Sequence, residues 1–173
     1  KGEGHFLALL RKKKTDVDMP AECRRKNTKA LKSLKRQDDL VRFMESLSLK
    51  LDEERIVLHQ DHVYYLPEGL EWNLPLRFLR TGLLLGELKK GRFEPSQALA
   101  MALKADQFDT VVRLGHEDER VVRYLKGETV ELSEEEGPVK GWCLVAMEDY
   151  PMGWAKGTGM SLKNKYYPGW RWQ

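Results

Sequence analysis

The sequence predicts an α+β protein made of two small units that meet near residues 105–116. Short strand-like runs are mixed with short amphipathic helices, without the strand–helix–strand rhythm of a doubly wound sheet. The 173 residues are 41% hydrophobic and 33% charged, which is ordinary for a globular protein. The two predicted units also differ in charge, since an acidic middle region is followed by a basic C-terminal end.

The formal charge of +3 hides a strong segregation along the chain. Residues 1–36 hold 12 basic and 4 acidic side chains, residues 37–138 hold 13 and 21, and residues 139–173 hold 5 and 2. Basic ends around an acidic middle are expected of a protein that touches a polyanion with part of its surface. Basic tails that serve only solubility fit the charge pattern equally well.

Composition and length exclude several classes of protein. Two cysteines cannot build a disulfide framework and fit no zinc spacing, which indicates a reducing, cytoplasmic location. No apolar run approaches the ~20 residues that a membrane helix needs, so we expect no membrane partner. The chain begins at Lys1 without an initiator methionine or a signal-peptide core, and we therefore expect a piece of a longer protein.

The N-terminal region predicts one strand followed by a linker. Residues 5–10, HFLALL, are typical of a short buried strand bounded by Gly4 and by a basic run. Residues 11–35 are mostly polar and basic with little apolar periodicity. Such a stretch buries too little surface to offset its ordering entropy, so we expect a linker there that can be disordered.

The first unit is predicted to combine short helices with strands. Apolar residues at helical spacing between positions 40 and 47 follow the acidic pair Asp38 and Asp39, which favours a helix start. Ser96 is a good N-cap for a second helix that runs through Leu103. Strands are predicted at residues 55–59, 63–66, 76–80 and 83–88, the first two as a hairpin.

The second unit is predicted to contain three strands and one helix. A strand at residues 110–114 precedes a helix at residues 116–126, for which Gly127 is the stop signal. Two further strands are predicted at residues 142–147 and 152–156. The chain finishes with residues 163–172, which are rich in Lys, Tyr and Trp.

The histidines do not suggest a metal site. His59 and His62 are three apart across a predicted turn, where their side chains would not chelate one ion well, and no cysteine or acid completes a ligand set. His5 and His116 are isolated in the sequence. We therefore predict surface or turn histidines and no bound metal.

Nucleophiles and glycine loops give no active site either. Cys143 lies in an apolar strand and is predicted to be a buried small hydrophobe. Cys23 lies in a basic stretch that could lower its pKa, but no His or Asp stands beside it to organise catalysis. The run 157–159, Gly-Thr-Gly, favours a hairpin turn over a phosphate cradle. We expect this segment by itself to be no enzyme and to hold no cofactor.

The strongest functional signal is a weave of cations and aromatic rings near the C-terminus. Cations contact phosphates, and Tyr or Trp rings stack on unpaired bases at roughly 1–3 kcal/mol each. An asparagine amide offers a donor and an acceptor to a base edge or 2′-hydroxyl. The predicted RNA-binding residues are Lys156, Lys163, Asn164, Lys165, Tyr166, Tyr167 and Arg171.

The same weave fits a structural alternative, in which the rings are the core of a small barrel and the lysines are its solvated rim. For Trp142, Trp154 and one of the tyrosines we favour the core. For the lysines and Arg171 we favour contact with nucleic acid. A secondary, less specific RNA-binding cluster around a predicted strand end and turn comprises Arg80, Lys89, Lys90 and Arg92.

Several sequence strings resemble a known family. GEGHFLALLRK at residues 2–12 resembles the end of the catalytic domain in the Nop/Sun family of RNA 5-methylcytosine methyltransferases. The stretch from RTGLLLGEL to ALAMAL at residues 80–103 resembles the accessory domain that follows it in the bacterial RsmF-type members. A terminal PUA-like RNA-binding domain is indicated by YLKGET, GWCLV, PMGWAKGTG and LKNKYYP, which begin at residues 124, 141, 151 and 162.

The resemblance implies a division of the chain and a function. It implies a remnant of the last catalytic strand at residues 1–12, a basic linker at 13–36, an accessory domain at 37–115 and a PUA-like β-barrel at 116–173. The parent enzyme would methylate cytosine in ribosomal RNA with S-adenosylmethionine. This chain lacks the family's Pro-Cys and Thr-Cys contexts and its glycine-rich cofactor loop, so the cofactor belongs to a missing catalytic domain.

The leading hypothesis is therefore RNA binding and substrate positioning by the C-terminal part of such an enzyme. Its expected partners are ribosomal RNA and the protein's own N-terminal methyltransferase domain. The alternative is a protein-interaction module, in which the acidic unit at residues 37–138 docks the catalytic domain or a ribosomal protein.

Overall fold

The computed structural model describes residues 28–30, 38–69, 81–90 and 92–173. The strands predicted at residues 5–10 and 76–80, and most of the predicted linker, lie outside the described residues. Within the described ranges the chain forms two five-stranded sheets and three α-helices. The predicted α+β class is confirmed.

The first sheet is antiparallel and follows chain order. The predicted hairpin is present, and its two-residue turn begins at Gln60, whose φ of 56° is left-handed. A strand at residues 28–30 lies inside the predicted linker, so the expectation of no regular structure is wrong there. The last strand of this sheet, at residues 92–95, was not predicted. The strands are β1 (Thr28–Ala30), β2 (Ile56–His59), β3 (His62–Tyr65), β4 (Leu83–Lys89) and β5 (Arg92–Pro95).

Two helices pack against this sheet, close to where the sequence predicts them. Helix α1 (Asp38–Glu45) carries its acids in the first turn, where the helix dipole favours them, and buries Leu40 and Phe43. Helix α2 (Gln97–Ala102) begins after Ser96, whose Oγ accepts the Leu99 backbone N–H at 3.0 Å.

The second sheet is mixed and curls into a half-barrel with the strand order β6-β8-β9-β10-β7. Only the β6–β8 pair is parallel. Helix α3 (Glu119–Leu125) lies against one face and begins later than predicted, because the Asp118 carboxylate caps it by accepting the Arg120 N–H at 2.9 Å. The strands are β6 (Val111–Leu114), β7 (Val130–Glu131), β8 (Val139–Met147), β9 (Tyr150–Gly159) and β10 (Ser161–Asn164).

The Gly-Thr-Gly run is part of β9 and not the turn itself, which follows at Met160. A Cβ on Gly157 would lie 2.5 Å from the carbonyl oxygen of Val139 on β8. Glycine is therefore needed there for the close approach of two strands, which explains a glycine pattern without any bound phosphate.

One hydrophobic core joins the two sheets through Trp154. Its indole is 1% exposed and meets the rings of Phe43 and Phe108 at centroid distances of 5.4 and 4.9 Å. Its Nε1 donates to the Ser96 carbonyl oxygen at 2.8 Å. The prediction that Trp154 belongs to the core is confirmed, and the two predicted units share this core.

A second core lies between the other face of the second sheet and α3. It contains Tyr124, Cys143 and Leu162, all fully buried. The Tyr124 hydroxyl donates to the carbonyl oxygen of Trp154 at 2.9 Å, so the residue that anchors the first core also anchors the second.

Candidate nucleic-acid interface

Strand alternation sorts the predicted C-terminal weave onto two sides of the second sheet. Along β10 and just beyond it, Lys163 and Lys165 are exposed. The residues that alternate with them, Asn164 and Tyr166, turn towards α3 and the second core. Successive side chains of a strand point to opposite faces, so residues that are neighbours in sequence serve different surfaces.

The lysine face, which we define as Lys140, Lys156, Lys163 and Lys165, is the basic side of this sheet. Strand register places Lys156 of β9 directly between Trp142 of β8 and Lys163 of β10. All four lysines are exposed. Among the described residues no carboxylate oxygen lies within 4.0 Å of their amino groups. Their charge is available to a polyanion.

Trp142 lies at the centre of the lysine face. It is half-buried and packs against the edge of the first core. The amino nitrogens of Lys156 and Lys165 lie 5.8 and 5.9 Å from its ring centroid, within the range of a cation–π contact. The indole therefore holds two cations near each other. Sequence alone favours a core role for Trp142, and the structure shows that only part of the ring serves the core.

Asn164 has a structural task. Its amide nitrogen donates to the carbonyl oxygens of Tyr124 at 2.8 Å and Glu128 at 3.0 Å. Its Oδ1 accepts the Tyr166 backbone N–H at 2.8 Å. Both amide hydrogens are thus used inside the protein to close the end of α3. This arrangement argues against the predicted contact of Asn164 with RNA, because that contact would break these hydrogen bonds.

The last predicted RNA-binding residues lie in the tail, residues 166–173, on the α3 side. Tyr166 is half-buried, and its ring lies 5.5 Å from that of Tyr124. Tyr167 is exposed and meets Trp170 edge to face at 5.9 Å. Arg171 is exposed, with Nη2 near the Tyr166 carbonyl oxygen at 3.4 Å. Tyr166 is therefore the tyrosine that fits the predicted core role.

The secondary cluster lies at the tip of the β4–β5 hairpin and has mixed charge. The amino group of Lys89 lies 2.8 Å from Glu87 and 3.1 Å from Glu94. Lys90 begins the turn with a left-handed φ of 48°, and exposed Arg92 is the register partner of Lys89. These residues border a cavity of about 490 Å³. Arg80 lies outside the described residues.

The ion pairs of Lys89 shift the pKa values of the groups that form them. The hydrogen bond from Lys89 is the main reason that the pKa of Glu87 lies below its usual value. The same contact, with that of Glu94, raises the pKa of Lys89. His62 lies 3.3 Å from Glu87 and adds to the network. Lys89 is thus already ion-paired with two carboxylates in the free protein.

The remaining sequence candidates are the cysteines and a metal site. Burial raises the pKa of the Cys143 thiol to about 12, and the prediction that this cysteine is buried is confirmed. Within the described ranges no group of three His, Cys, Asp or Glu side chains could hold a metal ion. In the same ranges no helix is long and apolar enough to cross a membrane. Cys23 and His5 lie outside them.

Lys140 is the member of the lysine face that sequence reasoning missed. It precedes β8's Gly141 and Trp142, and its register partner is Thr158 on β9. A usable signal existed, since Lys140 lies two positions before Trp142, the first residue of the strand predicted at residues 142–147, and residues two apart share a strand face. Extending that strand by two residues towards the N-terminus would have placed both on the face of Lys156.

Comparisons with known proteins identify relatives of this chain. Residues 42–103 match a family described as the RsmF rRNA methyltransferase first C-terminal domain. Residues 111–172 match the methyltransferase RsmF PUA domain. The ribosomal RNA small subunit methyltransferase F of Shewanella loihica is 30% identical over 124 residues, which cover 70% of this chain and 24% of that protein. The chain thus spans about a quarter of the curated relative that it matches.

Proposed function

Because the chain belongs to the C-terminal region of the RsmF-type rRNA methyltransferases, we propose that it binds small-subunit ribosomal RNA through the lysine face and so positions the RNA for methylation. The observation that carries this proposal is a set of four exposed lysines on one sheet face without a described acidic partner. From the residues predicted by sequence, Lys156, Lys163 and Lys165 are kept, and Lys140 is added.

Unpaired lysines on a rigid sheet suit a phosphate backbone. Each cation that contacts a phosphate releases condensed counterions, and the affinity then falls as salt rises. A cation that is already paired with a carboxylate adds less to the RNA affinity, because its phosphate contact replaces an existing ion pair. Trp142 contacts the amino groups of both Lys156 and Lys165, so its ring orients two cations of the lysine face.

Methyl transfer itself is assigned to another part of the protein, with S-adenosylmethionine as the donor. The Gly-Thr-Gly run does not fit a glycine-rich cofactor loop, because it lies in an antiparallel strand and Gly157 is covered by Val139. The role of this segment is to hold a large RNA in a fixed orientation, which is a positioning contribution to catalysis. With ribosomal RNA as its substrate, we expect the protein to act in the cytoplasm.

Binding of the chain to fragments of small-subunit ribosomal RNA over a salt series tests the proposal. We expect the logarithm of the affinity to fall linearly with the logarithm of the salt concentration. Lys163→Gln should reduce the slope by about 0.7 for a single-stranded contact. Lys50→Gln, at an exposed lysine outside the lysine face, is the matched control and should leave the slope unchanged.

Two outcomes would overturn the proposal. One is an absence of binding at low salt by a chain that circular dichroism shows to be folded. The other is an equal change of slope for Lys163→Gln and Lys50→Gln, which would mean that the charge acts without regard to its place in the fold.

A further inference from the structure

The tail presents three exposed aromatic rings that the lysine face does not use. Tyr167, Trp170 and Trp172 are 54%, 52% and 57% exposed. Large exposed rings are costly to leave in water, and clustered ones mark an interaction surface. The remaining exposed large hydrophobic residues among the described positions are mostly aliphatic, apart from Tyr150 at the β8–β9 turn.

Hydrogen bonds hold the backbone of the tail in place. A short 3₁₀ turn at Pro168–Trp170 is closed by the Trp170 N–H, which donates to the Tyr167 carbonyl oxygen at 3.0 Å. The Trp172 N–H donates to the carbonyl oxygen of Leu125 at the end of α3 at 3.1 Å. The rings are thus presented from an ordered support, which lowers the entropy cost of binding a flexible ligand.

Arg171 lies between Trp170 and Trp172 in the sequence and adds a positive charge to this aromatic segment. Its side chain crosses Gly127, where a Cβ would lie 2.4 Å from the guanidinium Nε. Gly127 also has a φ of 83°, so glycine serves both the helix end and the passage of this side chain. Residues 162–173 contain three cations and no acid.

We propose that Tyr167, Trp170 and Trp172, with Arg171, form a second RNA contact that stacks unpaired bases. This inference rests on the proposed function and names the class of RNA, which is single-stranded. Rings interleaved with a cation and without acids match the stacking platforms of single-strand binding. A base-paired helix keeps its bases stacked inside and offers no ring face to such a platform. The lysine face and the tail then divide the work, one holding phosphates and the other selecting unpaired bases.

Affinities of the full chain for oligo(A) and for a blunt RNA duplex of the same length test this inference. The double variant Trp170→Ser with Trp172→Ser should bind oligo(A) at least about fivefold more weakly, since one lost stack has about that effect. Duplex affinity and the salt slope should stay unchanged, because no phosphate contact is removed. Tyr150→Ser, at an even more exposed ring elsewhere, is the control and should match the original chain.

Because Trp170 contacts the rings of Tyr166 and Tyr167, its loss could loosen the tail. Trp172→Ser alone avoids this, since its ring has no such partner among the described residues, and it should give about half of the effect on a logarithmic scale. An unchanged oligo(A) affinity, or an equal loss for oligo(A) and duplex, overturns the inference. So does unchanged RNA binding with loss of binding to the separate catalytic domain. Failure of the proposed function is distinct, because it would show in the lysine variants and the salt slope.

Discussion

The lysine face and the tip of the β4–β5 hairpin are both basic in sequence and differ in structure. On the hairpin, Lys89 lies within 3.1 Å of Glu87 and Glu94, which flank it on neighbouring strand positions. On the lysine face, the cross-strand neighbour of Lys156 is another lysine, Lys163, and its other neighbour is Trp142. The hairpin cations share their surface with carboxylates, two of which pair with Lys89, whereas no carboxylate among the described residues pairs with the lysine face.

The difference does not lie in the residue directly opposite, because the register partner of Lys89 is Arg92 and that of Lys156 is Lys163, both cations. It lies in the next neighbours on the same face, since Glu87 stands two positions before Lys89 and Glu94 is diagonal to it, and both carboxylates reach its amino group. The same-strand and diagonal positions therefore decide whether a lysine meets an acid. The predictions below test this contrast, beginning with the core that supports the lysine face.

The largest effect is expected at Trp154, which fixes β9 beneath the lysine face. Trp154→Ala should lower the free energy of unfolding by about 3–5 kcal/mol, because it opens a cavity in the shared core and removes the hydrogen bond to Ser96. Trp170→Ser, at an exposed tryptophan, should change it by less than about 0.5 kcal/mol. Urea unfolding measures both, and equal values would contradict the assignment of buried and exposed rings.

A smaller loss of stability is expected at Tyr124, which ties α3 to the strand that carries Lys156. Tyr124→Phe should cost about 0.5–1.5 kcal/mol, the net value of one buried hydrogen bond. The cost stays modest because the Trp154 carbonyl oxygen still accepts the Lys165 N–H at 3.0 Å. RNA affinity should not change. A loss of affinity with intact stability would mean that Tyr124 acts on the RNA contact.

Removing the acids should convert the hairpin into a surface more like the lysine face. Glu87→Gln with Glu94→Gln frees Lys89, and RNA binding should strengthen by about fivefold at 0.1 M salt if one phosphate contact is gained. Asp109→Asn with Glu134→Gln removes the same charge at exposed positions elsewhere. Binding assays at several salt concentrations compare the two, and an equal gain would show that net charge alone matters.

The ion pair of Glu87 with Lys89 also makes stability depend on pH, with a sign that follows from the pKa of Glu87. The pKa of Glu87 is depressed in the folded protein, so its contribution to stability is present above the usual value of 4.5 and is lost as the pH falls through the lower folded value. The double glutamine variant should therefore show a weaker fall in thermal stability below about pH 4.5.

The smallest effect is expected at Trp142, which holds two ammonium groups of the lysine face. Trp142→Leu should keep the apolar packing and weaken RNA binding about two- to fivefold, the range of one exposed cation–π contact. Trp142→Phe retains a ring and should lose less. Fluorescence polarisation with a labelled RNA measures both, and identical losses would rule out a role for the ring face.

Much of the fold was predictable because local signals agree with tertiary structure. These signals act through neighbours in sequence or through burial. They are the Ser96 cap, the acidic start of α1 and the apolar runs of β4, β6 and β8. The missed strands β1, β5, β7 and β10 are short, and β5 contains Arg92, Glu94 and Pro95, which disfavour a strand. Their pairing depends on a neighbouring strand that local sequence does not report.

The site was only partly predictable for the same reason. The weave contains the cations that the proposal keeps, but period-two alternation places Lys163 and Lys165 on one side and Asn164 and Tyr166 on the other. The task of Asn164 depends on the end of α3, which is 36 to 40 residues away in sequence. Such long-range hydrogen bonds leave no trace in a short motif.

The most direct test of the contrast is a pair of triple variants with the same change of charge. One is Lys156→Gln, Lys163→Gln and Lys165→Gln, and the other is Lys89→Gln, Lys90→Gln and Arg92→Gln. Affinity for a single-stranded ribosomal RNA fragment is measured over a salt series. We predict that the first lowers the slope by about 2 and the affinity on the order of a hundredfold at 0.1 M salt, and that the second lowers the slope by less than about 0.7. Equal slopes for the two variants would contradict the account.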